Sequence, residues 1–378
     1  MRRVRLVVVL ATATSILLAA GPVPRAGAQT APSAAPVLAS YPAYEGMGFA
    51  YIWWMRRAVS PSFPAPDPVA FNLGERAMGP LNGASQVAMG MTDLALVSQL
   101  AATESWFGRN DVTPGVGATT YRKLRALVPA YRSALLFLAM AHGPGPWAPD
   151  PAPTGLSPLA NRRLLVWPRA EDTGDYRTSL AAAVLRTLSL PFQPAGITWE
   201  LSSALYDNSY VDNTAVGFLD GLPNRQLEIW VRDFRPWLLV PSASEKTRLQ
   251  RAFPFLVFFD IRPGGLRHSA TTEALNAETL RTLGMWNFAV VRSDMPVCVA
   301  YRIVDAVMSA ARRAGHGVQE ISVDGSDTSY VDLEGMRPEN FERLQDIPLH
   351  AGAALWLRTN NHPLPVFPRA DSTTEICP

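Results

Sequence analysis

The stretch Ala70 to Gln99, AFNLGERAMGPLNGASQVAMGMTDLALVSQ, constrains the fold most, because it reads as a strand, a loop, a helix and a second strand in succession. Ala70 to Leu73 is a short apolar-rich run. Gly79-Pro80 follows a polar turn; glycine can take unusual backbone angles and proline is preset for the first position of a helix. Leu81, Ala84, Val87, Ala88 and Met91 then recur at helical spacing, and Gly90 and Asp93 mark the stop. Leu94 to Val97 is an unbroken apolar run, the pattern of a parallel strand covered on both faces, and it ends at the polar pair Ser98-Gln99. Ligands of open α/β sheets collect at the carboxyl ends of strands and the amino ends of helices. The unit therefore offers two ligand-facing points, the Gly79 turn and Ser98-Gln99.

Met1 to Ala28 reads as an export signal. Arg2, Arg3 and Arg5 form its basic end, Leu6 to Ala20 its apolar core, and Ala26-Gly27-Ala28 the small residues a signal peptidase needs, so cleavage is expected after Ala28, in a periplasmic protein. The segment holds four arginines, counting Arg25, and no acid; its removal takes the formal net charge from +2 to −2. A mildly acidic chain with scattered charges has no basic footprint for nucleic acid or an anionic membrane. The 350 residues that remain exceed a typical single core, which predicts two lobes. Cys298 and Cys377 are the only cysteines. In an exported protein they could pair and pin the carboxyl tail, and spacing alone leaves the matter open.

Residues 29–39 read as a flexible leader. YPAYEGMGFAYIWWMRRAV then opens the fold with a Gly46/Gly48 turn and a helix carrying aromatics at core spacing; Tyr44 and Glu45 precede it in a loop. Tyr121 to Ala141 contains two strand candidates, Leu124–Val128 and Ala134–Ala141. Gly143 to Pro158, crowded with Pro and Gly, marks a change of lobe. A second unit follows, with Arg163 to Trp167 as strand, EDTGDYR (Glu171 to Arg177) as loop and Thr178 to Leu188 as helix. TAVGFLDGLPN (Thr214 to Asn224) passes from strand to a Gly221-Pro223 turn and a helix, and Asn287 to Val291 is a strand before a helix beginning near Pro296. Strands alternating with helices in two blocks predict an α/β fold with parallel sheets. The expected boundaries are lobe 1 over 40–140, lobe 2 over 141–285, a hinge strand and return to lobe 1 over 286–365, and a tail over 366–378.

Catalytic motifs are missing: no G-x-S-x-G, phosphate loop, G-x-G-x-x-G or H-E-x-x-H occurs, and the five histidines never stand at metal-ligand spacing. Glu171, Asp172 and Asp175 read as a solvated acidic loop rather than a cation site. No cofactor, metal or catalytic residue is expected, and the chain reads as a binding protein and not an enzyme.

The order of landmarks resembles the TAXI family, the periplasmic solute-binding subunits of tripartite ATP-independent periplasmic (TRAP) transporters. The matching pieces are Gly46 to Trp54, the Gly79–helix–TDLALVSQ segment, LRALVPAYRSALLFLA, the loop around Gly174, VGFLDGLPN, WNFAVVRSDMPVCVAYRIVDAVM and IPLHAGA. The resemblance implies two α/β lobes of the type II periplasmic-binding-protein kind with a ligand cleft at the hinge. It also implies a monomer that captures a small organic solute, such as an amino acid or carboxylate, and delivers it to TRAP-type membrane permease subunits. Carried onto this chain, the ligand-binding candidates are Gly48, Tyr51, Gly79, Ser98, Gln99, Gly174, Gly221, Pro223 and Asn224. His350, in the P-L-H-x-G-A segment, is read as structural packing.

Two loops depart from the family pattern. SYPAYEGMG stands where a Gly/Thr/Ser run is expected, and EDTGDYR where a Gly/Ser-rich loop is expected. Both replace amide donors with carboxylates, and a carboxylate beside an anionic solute costs free energy. Tyr44, Glu45, Tyr176 and Arg177 therefore join the candidates. The ligand expected is less anionic than the family's, zwitterionic, cationic or aromatic, with Glu45 or Asp175 meeting an amine and Arg177 a carboxylate. Two other roles stay open: a periplasmic ligand-binding protein acting in sensing or with another envelope protein, or an exported enzyme on a divergent two-lobe scaffold.

Overall fold

The computed structural model describes residues 38–40, 47–62, 72–73, 80–108, 120–139, 154–167, 180–194, 214–234, 236–265, 278–323, 327–344, 347–365 and 376–377. The export signal, Tyr44, Glu45, Gly79, Gly174, Tyr176, Arg177 and the acidic loop lie outside the described residues. In chain order the elements are β1 (Leu38–Ser40), α1 (Met47–Val59), β2 (Asn72–Leu73), α2 (Pro80–Met89), β3 (Leu94–Ser98), α3 (Gln99–Phe107), β4 (Leu124–Ala139), β5 (Arg163–Trp167) and α4 (Leu180–Thr187). They continue with β6 (Gln193–Pro194), β7 (Thr214–Gly221), α5 (Arg225–Phe234), β8 (Trp237–Leu239), α6 (Ala243–Ala252), β9 (Val257–Ile261), β10 (Leu280–Arg292), α7 (Val297–Arg313), β11 (Val318–Val323), β12 (Asp327–Asp332) and α8 (Ala351–Thr359).

The α/β class is as expected. Among the described residues, ten strands form one mixed sheet in the order β2-β1-β3-β10-β4-β7-β5-β6, with β8 added to β4 and β9 to β10. Parallel pairing holds at both ends, for β2-β1-β3 and β6-β5-β7. The middle is antiparallel, because β4 and β10 run the opposite way to each other and β10 opposite to β3.

β4 corrects the reading of two strands between Tyr121 and Ala141: it is one strand of 16 residues. Pro129 does not break it, because the register with β10 slips there. Asn287 faces Tyr131 and Phe288 faces Pro129, which leaves Ala130 over at an irregularity where a missing N–H does no harm. β10 is likewise longer than Asn287–Val291, with 13 residues. β1 starts at Leu38, inside the segment read as leader, and pairs in parallel with β3.

These two long strands pass from one core to another. Leu124, Ala126, Leu127, Val128, Ala130 and Tyr131 of β4, with Phe288 to Val291 of β10, belong to a core shared with α1, α7 and α8. Beyond Ser133 the side chains of β4 alternate: Leu135, Phe137 and Ala139 join a second core under α4 and α6, and Ala134, Leu136 and Leu138 a third under α5. That period of two is what a pleated strand covered on both faces must show. A Cβ on Gly217 in β7 would lie 2.4 Å from the Cβ of Ala181, so glycine is what lets α4 sit this close to the sheet.

Local chemistry ends the helices. α2 stops at Gly90, whose φ of 75° is left-handed, with its N–H on Val87 O at 3.0 Å and Met91 N–H on Gln86 O at 2.9 Å. α6 opens with a capping box between Ser242 and Glu245. Cys298, in the first turn of α7, is disulfide-bonded to Cys377 with Cα atoms 5.2 Å apart. Among the described residues no helix is long and apolar enough to cross a membrane.

Candidate functional site

A cavity of about 590 Å³ lies against the point where β4 leaves the first core. Tyr131 and Arg132 of β4 and Tyr51 of α1 form part of its wall. The segment after α7, from His316 to Val318, and the turn after β12, with Asp332, Glu334 and Gly335, face it from the first-core side. Leu222 and Pro223, β9 from Phe258 to Ile261, and Arg262 face it from the other.

Tyr51 and Tyr131 are stacked, with ring centroids 4.3 Å apart and planes 18° from parallel. The Tyr51 hydroxyl donates to the backbone carbonyl of Asp332. Burial pushes both phenols well above their ordinary pKa, so they act as neutral walls and donors. Gly335 is required beside them: a Cβ there would come within 2.1 Å of Ala130 O, the residue left over at the β4 irregularity. The turn holding Asp332 and Glu334 is thus pressed onto the backbone of β4.

Arg132 is the distinctive group. Its guanidinium carbon lies 4.5 Å from the centroid of the Phe259 ring and 5.7 Å from that of Trp286, its register partner on β10. Among the described residues no hydrogen bond or salt bridge joins it. Burial lowers its pKa, while the charges of Asp332 and Glu334 act to raise it, and a guanidinium stays protonated under such opposition.

The acids of the wall, by contrast, each accept a hydrogen bond from the protein. Asp260 receives two hydrogen bonds from Arg281, at 2.8 and 3.0 Å, and these hold its carboxyl below the usual range. Glu334 receives one from Arg337 at 2.9 Å. Asp332 accepts the Glu334 N–H at 3.0 Å, while burial raises its pKa. Among the described residues no group of three or more His, Cys, Asp or Glu is arranged to hold a metal ion.

Of the candidates read from sequence, Tyr51 and Pro223 line the cavity. Gly48, Ser98, Gln99, Gly221 and Asn224 do not. Gly48 is buried in the first turn of α1 rather than in a turn before it. Ser98 caps α3, its Oγ accepting from Ala101 N–H at 3.1 Å, and Gln99 is buried as the first residue of that helix. Gly221 donates its N–H to Asp220 Oδ1 at 2.7 Å. Asn224 donates to Asp220 Oδ2 at 3.0 Å and accepts from Leu227 N–H, which caps α5 and fixes the turn holding the cis Leu222-Pro223 bond. His350 is structural as expected, its Nδ1 accepting from Gly352 N–H at the start of α8.

Sequence reasoning missed Arg132, Tyr131, His316, Asp332, Glu334 and the β9 segment. For Arg132 a signal was present: it is a cation in the middle of LRALVPAYRSALLFLA, which after its first two residues is otherwise apolar except for Ser133.

Residues 69–358 match the model of the NMT1-like family. No curated protein sequence matches the chain. Among solved structures, similarity extends to the periplasmic binding protein BugD, at 14% identity over 86% of this chain and 97% of that one, with a TM-score of 0.43. It extends also to DctP7, a Bordetella pertussis extracytoplasmic solute receptor binding pyroglutamic acid, at 10% identity over 88% of each chain and a TM-score of 0.39. The Candida albicans CA3427 gene product, described as having the generic periplasmic binding protein fold, is 12% identical over 74% of this chain and 72% of that one, with a TM-score of 0.38.

Proposed function

We propose a function from the premise that the chain belongs to the NMT1-like family: it is an exported binding protein, without catalysis of its own, that captures a small organic solute in the cavity and delivers it to a TRAP-type permease. The observation that carries this reading is the position of the cavity. It is walled from both sides by elements of different cores, beside the strands that connect them. A ligand touching both walls binds best when they approach, and that difference in affinity is what can drive closure about connecting strands.

The basic, apolar and small-residue segments of residues 1–28 support export to the periplasm, and the resemblance of the seven landmarks to the TAXI family supports the permease as partner. The volume, about 590 Å³, is in the range of sites for small organic ligands. A thermal-shift screen of the purified protein against a broad library of amino acids, carboxylates, polyamines, sugars and nucleosides tests the reading. A ligand at 100 times its dissociation constant stabilises a fold by about 2.7 kcal/mol, a visible rise in Tm. A blank screen across all these classes would overturn the proposal.

A further inference from the structure

Three large apolar side chains stand open to water at the ends of two neighbouring helices. Met89, the last residue of α2, and Met91 just past it are 58% and 59% exposed, and Phe107, the last residue of α3, is 41% exposed. A chain of contacts joins the two ends at the pole of the sheet where β3 begins. Tyr121 N–H donates to Ser105 O at 2.9 Å, and the Arg122 guanidinium lies over the rings of Trp106 and Phe107, 4.9 and 5.6 Å from their centroids. Arg125 reaches the Trp106 ring at 5.5 Å. Ser293 N–H donates to Lys123 O at 2.7 Å. Arg292 packs against the end of α2, where a Cβ on Gly90 would lie 2.1 Å from its Nη1.

Charges that are scattered in sequence are thereby gathered. Arg122, Lys123, Arg125 and Arg292 share this pole with two acids: Asp294, which accepts from Arg292 Nε at 2.7 Å, and Asp93, whose charge also acts on Arg292. Arg122 and Lys123 are exposed. Aromatic and methionine side chains beside arginine and lysine suit the boundary between headgroups and acyl chains, because apolar bodies enter it while cations stay with the phosphates. A protein partner could use the same residue types, and the path of the chain favours lipid. β1 pairs in parallel with β3, Ala39 opposite Leu94, so the chain enters the fold at this pole. The sequence before that point carries Arg2, Arg3, Arg5 and the apolar run Leu6 to Ala20. A short apolar segment binds a bilayer only marginally, and a cationic patch on the same chain is the second attachment that makes binding hold. We propose that this pole is a docking face for an anionic phospholipid surface, with Met89, Met91 and Phe107 entering the boundary and Arg122, Lys123 and Arg125 meeting the phosphates. Removal of residues 1–28 leaves the patch as a reversible attachment. None of these residues lines the cavity, so the proposal goes beyond the solute reading. α7 begins just past Asp294 and runs 17 residues toward His316 in the cavity wall, about 25 Å of helix, which keeps the cavity clear of the docked surface.

Flotation of the exported protein with vesicles of phosphatidylethanolamine and phosphatidylglycerol, against vesicles of phosphatidylcholine alone, tests this. The anionic vesicles should bind at least about tenfold tighter, and binding should weaken as salt is raised. Each lysine or arginine brought to an anionic surface strengthens binding roughly fivefold. The double variant Arg122→Gln, Lys123→Gln should therefore bind more than about tenfold more weakly, and Met89→Ser with Met91→Ser at least about threefold more weakly. These side chains are exposed, so both double variants should keep the native Tm. If the first fails to fold, Lys123→Gln alone should still show its roughly fivefold loss. Equal binding to both vesicle types, no binding to either, or undiminished binding by either folded variant would overturn the proposal. A concentration-dependent dimer in sedimentation that the methionine variant abolishes would overturn it too, by assigning the face to a second copy of the chain.

Discussion

Tyr51 donates its phenolic hydrogen to the backbone carbonyl of Asp332, tying α1 to the turn that brings Asp332 and Glu334 to the cavity wall. Tyr51 is fully buried, so removing the hydroxyl leaves a carbonyl without that donor. Tyr51→Phe keeps the ring stacked on Tyr131 and should cost about 1–3 kcal/mol. Tyr51→Ala also opens a cavity, and should cost about 3–5 kcal/mol by the behaviour of large aromatic truncations. Urea unfolding of both variants separates the contributions; a Tyr51→Phe cost near zero would mean the hydroxyl contributes nothing.

Arg132 predicts the opposite sign. A partly buried cation with ring contacts but, among the described residues, no hydrogen-bonded oxygen gains about 0.5–2 kcal/mol from cation–π attraction and loses hydration in return. Arg132→Met keeps the length and volume without the charge, so its unfolding free energy in the absence of ligand should lie within about 1 kcal/mol of the native value or above it. A structural arginine would instead show a loss of several kcal/mol. The measurement is denaturant unfolding of the apo protein.

These two residues also show how far the sequence could be read. The unit from Asn72 to Ser98 was legible because each signal was local: apolar runs for β2 and β3, Pro80 to open α2, Gly90 to close it. The long strand β4 was not, since Pro129 is accommodated by a slip against β10 that is a property of pairing between residues far apart in the chain. The same holds for the site. Tyr51, carried over from the family resemblance, lines the cavity. Ser98 and Asn224, polar residues at strand and turn ends, are consumed in capping α3 and α5, which look identical in sequence to ligand contacts. Arg132 and Asp332 meet at one cavity from β4 and the end of β12, strands of two different sheets, a juxtaposition that only tertiary packing supplies.

Gly284 and Gly317 form a matched test of the fold beside the cavity. A Cβ on Gly284, in β10, would approach Ser133 O on β4 to 2.4 Å and Phe259 Cβ on β9 to 3.4 Å. Backbone cannot step aside as a side chain can, so Gly284→Ala should destabilise by about 1–3 kcal/mol or more. Gly317 has nothing within 4 Å of such a Cβ, and Gly317→Ala should stay within about 0.5 kcal/mol of native. Thermal unfolding of the pair checks both; a neutral Gly284→Ala would mean the long strands separate more easily than their pairing suggests.

Asp332 gives the pH dependence a sign. Burial raises its pKa in the folded protein, so the folded state favours the neutral acid. Its contribution to stability is full below the ordinary aspartate pKa and is lost as pH rises through the elevated folded value. Asp332→Asn cannot ionise and its amide oxygen can still accept the Glu334 N–H. The difference in unfolding free energy between Asp332→Asn and native should therefore shift in favour of the variant from pH 3 to pH 7. A difference that is flat over that range, or that runs the other way, would show that the positive charges of Arg132 and Arg262 outweigh desolvation.

The Cys298–Cys377 bond joins the first turn of α7 to the end of the chain across 79 residues. Closing a loop of that length in the unfolded chain is worth about 4.5 kcal/mol by loop entropy, with about 2–4 kcal/mol the usual measured range. The start of α7 is also held by packing: a Cβ on Gly352 of α8 would lie 2.4 Å from Val297 O, so the two helices meet backbone to backbone there. Neither cysteine lines the cavity. Cys298→Ser, Cys377→Ser and the double variant should then each lose about 2–4 kcal/mol, the double no more than either single because one bond is removed in all three. Ligand affinity should be unchanged. A double variant as stable as native would mean that packing on α8 alone fixes the start of α7, and a double variant losing the sum of the singles would mean that the two sulfurs act separately rather than as a bond.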